Sequence, residues 1–435
     1  MKFRAPAAFG MPAVLVVLCA FFTWATWTVE APSGREGGEA VAREILARNP
    51  QPTLVLVATA EDPQAEAFTA GVRSGLPKET SVRLLPGPPP AVRAYFEQHA
   101  HERTGPIIVA ATPEVARWTL WQGLRRTLPA QANIQVVTPR PRGRSAFLSP
   151  TNLRNVADQI AVIAIIAVGM TMVIITGGID LSVGSLVALS AVASAWLIQR
   201  SGGAVAGTGA LLASSFVATA LCGLIGAFSG FVITRFRVPP FIATLAMMQV
   251  ASGLAFIIAQ GQTIYDIPQR FTALGRGTAL ASLPNAVLLM LLIYAAAHVL
   301  MSCTAVGRRI YAVGGNAEAA RLSGVSNARI LLFVYIVSGL MAGIGGVITA
   351  SQLKAGSPTY GLMYELYVIA AVVVGGTSLS GGEGRVFGTL VGAFIIAVIR
   401  NGMNLMNVEP YTQKVVLGLV ILGAVLVDMA RRRRP

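Results

Sequence analysis

The sequence predicts an all-α polytopic membrane protein of about ten transmembrane helices, with a small α/β domain inserted outside the membrane. Three observations lead to this fold class. Hydrophobic residues make up 54% of the 435 residues and charged residues only 12%, whereas a soluble globular protein carries about 25% charged residues. Apolar stretches near the roughly 20 residues needed to cross a bilayer recur through most of the chain. Residues 30–150 instead mix acidic residues with arginine and proline.

The first predicted element is a transmembrane helix within residues 1–29. Its apolar run follows the basic residues Lys2 and Arg4, which favours a cytoplasmic N-terminus. A cleaved signal peptide is the alternative, because the apolar run is short. No clear cleavage site follows and further apolar spans come later, so the sequence favours an uncleaved first helix.

Residues 30–150 are predicted to form the inserted α/β domain. Its apolar runs have the length of buried strands and lie at 54–58, 81–85, 107–111 and 134–138. Segments with helical spacing lie at 63–73, with Asp62 as its cap, and at 91–103 and 113–128. Strands that alternate with helices of this length predict βαβ units around a parallel sheet.

Residues 151–430 are predicted to form the main membrane domain, and residues 431–435 a basic cytoplasmic tail. The spans of this domain lie at 155–176, 183–199, 209–233, 241–260, 284–303, 330–351, 363–377, 386–400 and 412–430. Together with the first helix they give a chain whose two termini both lie in the cytoplasm and whose residues 30–150 are extracytoplasmic.

The arginine residues support this topology. The net charge of +15 could suggest a nucleic-acid partner, but the cations lie at the ends of apolar runs. The loops 234–240 and 304–329 carry arginine and fall inside, as the positive-inside rule requires. The loop 261–283 falls outside and is a mild exception, because it carries Arg270 and Arg276. The charge therefore indicates membrane topology, and no nucleic acid is expected as a partner.

Neither a metal site nor a disulfide framework is expected. The three cysteines, Cys19, Cys222 and Cys303, all lie in apolar spans and form no CxxC pair. The three histidines are too scattered along the chain for a metal site. We expect neither a metal nor any other cofactor.

A repeated motif marks the most unusual part of the membrane domain. The sequence GG-x-x-LS-x-G occurs at 177–184 and again at 375–382, each time where an apolar span ends. Paired glycines allow a helix to break, and a broken helix repeated in two parts of a membrane protein indicates a transport pathway. The candidate residues at the two breaks are Gly177, Gly178, Asp180, Ser182, Gly375, Gly376 and Ser380. Asp180 can be interpreted as an ion site or, as we favour, as a structural cap or gating carboxylate.

The polar segment 307–329 falls on the cytoplasmic side. A short amphipathic helix is predicted to begin at Asn316 and to stop at Gly324. It has two interpretations, an ordinary loop or a docking element for a soluble partner. The docking interpretation uses Ala319, Ala320 and Leu322 as the contact.

No enzyme signature is present. A nucleotide-binding loop needs a lysine within G-x-x-x-x-G-K-[ST], and none of the lysines Lys2, Lys78, Lys354 and Lys414 lies in such a sequence. Neither an HExxH helix nor a G-x-S-x-G elbow occurs. We therefore expect a transport subunit without catalytic activity.

Ionisable residues are sparse in the predicted spans, which argues against a proton- or sodium-driven carrier. Uncharged polar side chains there suit a neutral, hydroxyl-rich solute, although they could equally bond neighbouring helices. The candidates for a substrate pathway are Gln249, Glu365, Asn401 and Asn404.

Four segments in order resemble the ribose/xylose-type permease subunits of bacterial ABC importers, of the branched-chain/monosaccharide class. They are 165–191, 231–248, 307–325 and 364–393, and the run from Arg400 to Leu405 resembles the NG-x-N-L segment of the same family. The resemblance covers about 151–430. It implies a non-catalytic permease of the inner membrane, embedded in lipid, that pairs with a second permease copy. It further implies a cytoplasmic ATP-binding subunit as the motor and a periplasmic sugar-binding protein that delivers a monosaccharide.

The resemblance also assigns residues. Those that match the segment docking on the ATP-binding subunit are Gly315, Asn316, Glu318, Ala319, Arg321 and Gly324. Two features depart from the family. Tyr367 stands where an acidic residue is usual, and residues 30–150 replace a short connection between the first two helices. The insert more weakly resembles one lobe of a periplasmic sugar-binding protein, in LVLVATAEDPQAEAFTAG at 54–71, and we expect it to have a docking or gating role.

Two other functions remain open from the sequence. A stand-alone secondary carrier or channel for a small neutral solute would need no ATP-binding partner. A degenerate receptor would use the insert as a sensor, but ten spans exceed what an anchor requires. Ribose, xylose, other monosaccharides and nucleosides all remain possible substrates.

Overall fold

The computed structural model describes residues 10–59, 64–99, 107–127, 134–280 and 283–432. The chain divides into two compact units. One comprises Met1–Thr26 with Ala146–Pro435, and the other, the inserted unit, comprises Trp27–Ser145. The inserted unit therefore starts and ends slightly earlier than the expected 30–150.

Within the described residues the first helix, α1, covers Gly10–Ala25 and ends before the expected residue 29. It ends there because Trp27–Glu30 forms a strand, β1, which pairs antiparallel with a later strand at Arg142–Ser145. Backbone groups committed to this ladder cannot continue the helix. The basic start of the chain, with Lys2 and Arg4, lies outside the described residues.

The inserted unit continues with α2 (Gly34–Arg48), β2 (Leu54–Thr59), α3 (Ala65–Gly75), β3 (Ser81–Pro86), α4 (Pro89–Gln98), β4 (Ile107–Ala111), α5 (Pro113–Ala116), α6 (Leu120–Thr127), β5 (Ile134–Val137) and β6 (Arg142–Ser145). Strands β2 to β5 form one sheet in the order β3-β2-β4-β5, and every pair in it is parallel. This is the arrangement predicted by the alternation of strands and helices.

Both faces of this sheet are covered. Along β2, Val55 and Val57 pack with Phe68 of α3, whereas Leu56 and Ala58 pack with Phe96 of α4. Successive strand residues point to opposite faces, so a continuous apolar strand is expected where helices cover both sides. The sheet is therefore doubly wound, with α2 and α3 on one face and α4 to α6 on the other.

The helices of the inserted unit differ from the expected ones in two places. The segment 113–128 forms two helices instead of one. The break occurs because the Val115 carbonyl accepts hydrogen bonds from the backbone N–H of Trp118 at 3.1 Å and from the indole of Trp121 at 2.7 Å. Helix α2 was not predicted at all, because Gly37 and Gly38 weaken its helix signal. The expected cap at Asp62, and the ends of two expected helices at 100–103 and 128, lie outside the described residues.

The membrane unit resumes with α7 (Pro150–Ile175), α8 (Val183–Arg200), α9 (Thr208–Phe236), α10 (Pro240–Ala259), α11 (Thr272–Arg276), β7 (Thr278–Leu280), β8 (Leu283–Pro284), α12 (Asn285–Cys303), α13 (Ala305–Gly315), α14 (Ala317–Leu322), α15 (Asn327–Leu353), α16 (Tyr364–Val374), α17 (Val386–Leu405) and α18 (Pro410–Arg432). Within the described ranges, seven helices are long and apolar enough to cross a membrane: α7, α8, α9, α10, α12, α15 and α17. Three shorter apolar helices lie in α1, α16 and α18. The total of about ten spans stays a prediction.

Helix α7 lies at the centre of this unit, since 89% of its most apolar 18-residue stretch is buried. It crosses α15 at Gly169, where a Cβ atom would lie 2.6 Å from the Cα of Ser338. On its other side α15 presents Gly339 and Gly343 to α9, against Cys222 and Thr219. Small residues at such crossings let helix backbones approach closely, which is how helices pack tightly within a membrane.

Helix α16 is shorter than the expected span at 363–377. Its 11 residues rise only about 16 Å, against a hydrocarbon core of about 30 Å. The preceding segment, 354–363, is largely irregular and follows α8, with Gly356 against Ala191 and Gly361 against Gly184. Irregular backbone is tolerated at membrane depth only where protein or a cavity surrounds it. Residues 354–363 therefore form an irregular break between α15 and α16 that packs against α8.

Candidate functional site

The first GG motif ends helix α7. Gly177 has a φ of +79°, and its N–H donates to the Ile174 carbonyl at 2.9 Å. The N–H of Gly178 donates to the Val173 carbonyl at 3.0 Å. These two bonds define a Schellman cap, in which the left-handed residue is usually glycine because a side chain there is strained.

The second GG motif ends helix α16 with the same cap, displaced by one residue. Here Gly376 has the positive φ, +90°, and the N–H of Thr377 donates to the Val372 carbonyl at 3.1 Å. In the first motif the first glycine, Gly177, is left-handed, whereas in the second motif the second glycine, Gly376, is left-handed. Both expected helix breaks fall at real helix ends, although the repeat is not exact in three dimensions.

Asp180 is 1% exposed and holds the loop between α7 and α8. One carboxylate oxygen accepts from the N–H of Ser182 at 3.0 Å and from its hydroxyl at 2.6 Å. The other accepts from the hydroxyl of Ser338 on α15 at 2.7 Å. Ser378 occupies the matching place in the second motif, where its hydroxyl oxygen accepts from the N–H of Ser380 at 3.1 Å. Three donors surrounding a buried carboxylate favour the structural cap over an ion site.

The two motifs meet helix α13 at a set of close backbone contacts, which we call the glycine junction: Ile175, Gly314, Gly381 and Gly382. The N–H of Gly382 donates to the Ile175 carbonyl at 2.8 Å. A Cβ atom on Gly314 would overlap that same carbonyl oxygen. The hydroxyl of Tyr311 on α13 also donates to the Gly384 carbonyl at 2.8 Å. Sequence reasoning missed Gly314, and its signal was the Gly314-Gly315 pair within the polar segment.

The polar segment itself is more regular than expected. Residues 305–315 form helix α13, and Thr304 caps its start, because its side-chain oxygen accepts from the N–H of Gly307 at 3.2 Å. Helix α14 follows at the expected place, since the Asn316 side chain accepts from the N–H of Ala319 at 2.9 Å. Gly324, with a φ of +82°, follows its end. The candidate docking element is thus a helix pair instead of a single helix in a loop.

The outer face of α14 is exposed and charged. Arg321 and Glu318 form an ion pair at 2.6 Å, and each side chain is more than 60% exposed. The Arg321 guanidinium lowers the pKa of the Glu318 carboxyl from its ordinary value, so this glutamate is ionised at neutral pH. Leu322 is 75% exposed beside this pair, whereas Ala320 is buried. Ala319, Ala320 and Leu322 were expected to contact the docked partner, and this prediction is wrong for Ala320 because its side chain is buried.

Of the pathway candidates, Asn401 and Asn404 bond neighbouring helices. Asn401 on α17 exchanges two hydrogen bonds with Asn152 on α7, at 2.9 and 2.8 Å, and both residues are buried. Asn404 is exposed, and its side-chain oxygen accepts from Gln413 on α18 at 2.8 Å. The alternative of helix–helix bonding therefore accounts for both amides.

Glu365 and Gln249 lie elsewhere. Glu365 is the second residue of α16, and its carboxylate lies directly over Gly184, the last residue of the first GG motif. Gln249 lies on the exposed part of α10. Tyr367, two residues after Glu365, stacks with the guanidinium of Arg400 at 4.6 Å from its ring centre. The structure thus joins Glu365 to the motif and gives Tyr367 a cationic partner.

Comparison with known proteins supports one family. A family model described as branched-chain amino acid transport system / permease component matches residues 152–425. The ribose import permease protein RbsC of Bacillus subtilis is 43% identical over 285 residues, which are 65% of this chain and 86% of that protein. The L-arabinose ABC transporter permease protein AraH of Azospirillum brasilense is 36% identical over 341 residues, 77% of this chain and 96% of that protein. The xylose transport system permease protein XylH of Escherichia coli is 35% identical over 354 residues, which are 66% of this chain and 87% of that protein. No solved structure matches.

Proposed function

The chain belongs to the branched-chain amino acid transport system permease family, and from this premise we propose that it is the membrane subunit of an ATP-driven importer for a monosaccharide such as ribose or xylose. Relatives that carry ribose, L-arabinose and xylose in their names support this class of solute. The observation that carries the proposal is the exposed helix α14, which directly follows α13, the helix that contacts the two GG motifs at the glycine junction. A separate ATP-binding subunit would dock on α14, since this chain has no nucleotide-binding loop.

The glycine junction can transmit movement of the docked subunit into the membrane unit. Its contacts are between backbones, because Gly314 and Gly382 have no side chains that could yield. A displacement of α13 would therefore shift the ends of α7 and α16 together. The loop after α7 is tied to α15 through Asp180, and α16 rests on the start of α8 through Glu365. Four helices would thus respond to one docking event.

The solute would pass along surfaces that this chain leaves exposed. Gln249 lies on such a surface of α10, together with apolar side chains including Leu245 and Val250. We infer that a second permease copy completes the pathway there and that lipid covers the remaining apolar faces. In this arrangement α14 and both termini are cytoplasmic, and a periplasmic sugar-binding protein delivers the solute from the other side.

Reversing the charges of α14 tests the docking proposal. The variant Glu318→Lys with Arg321→Glu retains an ion pair within the helix but exchanges the positions of its positive and negative charges. We expect co-purification with the ATP-binding subunit and ATP-driven uptake to fall at least tenfold, since unfavourable charge contacts at an interface cost a few kcal/mol. Uptake into proteoliposomes and membrane insertion are the measurements.

The matched control for this variant lies in the inserted unit. Arg93 and Glu97 form a similar exposed pair at 2.8 Å on α4, and its reversal should leave co-purification with the ATP-binding subunit unchanged. Full coupling in the α14 variant would contradict the docking assignment. Uptake that needs no ATP and follows an ion gradient would instead support the alternative of a stand-alone carrier or channel.

Removal of the inserted unit tests its role, which we propose to be docking or gating. The N–H of Ala146 donates to the Thr26 carbonyl at 3.1 Å, so a two-glycine linker can replace residues 27–145 without moving α1 or α7. We expect the shortened chain to insert and to retain ATP hydrolysis with its motor subunit. Uptake stimulated by the delivery protein should fall several-fold. Unchanged uptake and unchanged affinity for the delivery protein would refute the role.

A further inference from the structure

A polar cavity of about 320 Å³ opens where helices α8 and α10 end. By the proposed topology these two ends lie on the extracytoplasmic side. The side chains that matter for its chemistry are Trp196, Gln199, Arg200, Gln262, Thr263 and Tyr265. None of its lining residues is a carboxylate.

The walls of this cavity are fixed by contacts outside it. The backbones of Ile264 and Gly356 exchange two hydrogen bonds, each of 2.9 Å. The hydroxyl of Thr263 donates to that of Ser357 at 3.1 Å. On the far side, Asp266 accepts from the N–H of Ala204 at 3.0 Å. A cavity held in this way does not have to be ordered when a ligand binds, which favours affinity.

The lining chemistry suits a hydroxyl-rich, uncharged ligand. Glutamine amides at 199 and 262 both donate and accept hydrogen bonds, as sugar hydroxyls do. The Arg200 guanidinium lies 5.0 Å from the centre of the Trp196 ring, which holds that side chain in place and adds further donors. Aromatic rings with a few placed polar groups are the usual lining of small-molecule sites.

We propose that this cavity binds one monosaccharide before translocation, an inference that rests on the proposed sugar-import function for its ligand class. Two of its lining residues, Ile264 and Thr263, bond Gly356 and Ser357, near the start of the irregular segment that leads to Glu365 and α16. A bound sugar would therefore favour one arrangement of that segment. The site couples solute arrival at one end of the unit to the broken helix within it.

The test uses the full chain with its ATP-binding subunit in lipid nanodiscs, without the delivery protein. Ribose, L-arabinose and xylose are titrated while tryptophan emission and calorimetric heat are recorded. At least one sugar should bind and change the emission, and Trp196→Phe should remove the emission change. The double variant Gln199→Ala with Gln262→Ala should weaken binding about tenfold or more, through the loss of two hydrogen-bonding side chains.

Gln269→Ala is the matched control, because this glutamine is exposed on the neighbouring loop and does not line the cavity. Its affinity should equal that of the wild type. Unchanged affinity in the double variant, or binding that leaves Trp196 emission unchanged, would overturn the cavity assignment even where ATP-driven sugar uptake is intact. A wild type that neither takes up nor binds any of the three sugars would overturn the proposed function and this inference with it.

Discussion

Replacement of Gly314 by alanine is expected to abolish ATP-driven uptake. The new Cβ atom would overlap the Ile175 carbonyl oxygen and would lie 2.7 Å from the N–H nitrogen of Gly382. Both obstacles are backbone atoms, one at the end of α7 and one in the loop between α16 and α17, so neither can move aside as a flexible side chain would. Overpacking of this kind costs about 1–3 kcal/mol, sometimes more. Helix α13 must therefore separate from α7 and from the second GG motif, which breaks the link from the docking helix to the membrane unit.

A helical glycine away from the junction supplies the control. A Cβ atom on Gly209 of α9 would meet nothing within 4 Å, so Gly209→Ala should keep wild-type uptake. Uptake and ATP hydrolysis are measured in proteoliposomes, and thermal unfolding in detergent separates uncoupling from misfolding. A folded Gly314→Ala protein that hydrolyses ATP without transporting sugar would support the junction. Wild-type transport by that variant would show that the junction does not carry the coupling.

Local signals in the sequence predicted the elements well. The parallel strands between Leu54 and Val137 followed from apolar runs and helical spacing, which depend only on neighbouring residues. The start of α14 at Asn316 and its end before Gly324 followed from capping preferences, which are equally local. The paired glycines at 177–178 and 375–376 likewise marked two helix ends, although not which glycine of each pair takes the left-handed conformation.

Local signals of this kind could not predict contacts between segments that are far apart in the chain. Asn152 and Asn401 are far apart in the chain, so nothing in either neighbourhood could show that their amides pair. Helix α13 looked like a loop because Gly307, Gly314 and Gly315 lower its helix propensity. Two of these glycines are required by close approach to other backbones, Gly307 to Met301 and Gly314 to Ile175. Tertiary packing thus selected residues that local preference disfavours.

Replacement of Asp180 by alanine is expected to lower both stability and transport strongly. The variant would leave the N–H and hydroxyl of Ser182 and the hydroxyl of Ser338 without their acceptors, in a site that is 1% exposed. Each buried donor left without a partner costs about 1–3 kcal/mol. The loop after α7 would separate from α15, and the first GG motif would lose its fixed position relative to α8. A lower unfolding temperature and at least a tenfold loss of uptake are the expected results.

Asp180→Asn distinguishes a structural carboxylate from an ion site. The asparagine side-chain oxygen can still accept both bonds from Ser182, and the Ser338 hydroxyl can rotate to accept from the new amide. Uptake by this variant should therefore stay within a few-fold of wild type and keep the same pH dependence, while Asp180→Ala fails. If the carboxylate instead binds a translocated ion or proton, loss of its charge would abolish uptake or change its pH profile in a protein that still folds. The asparagine variant keeps the hydrogen bonds of Asp180 without its charge, whereas the alanine variant loses both. Comparison of the two therefore decides whether the Asp180 carboxylate stabilises the helix break or takes part in transport.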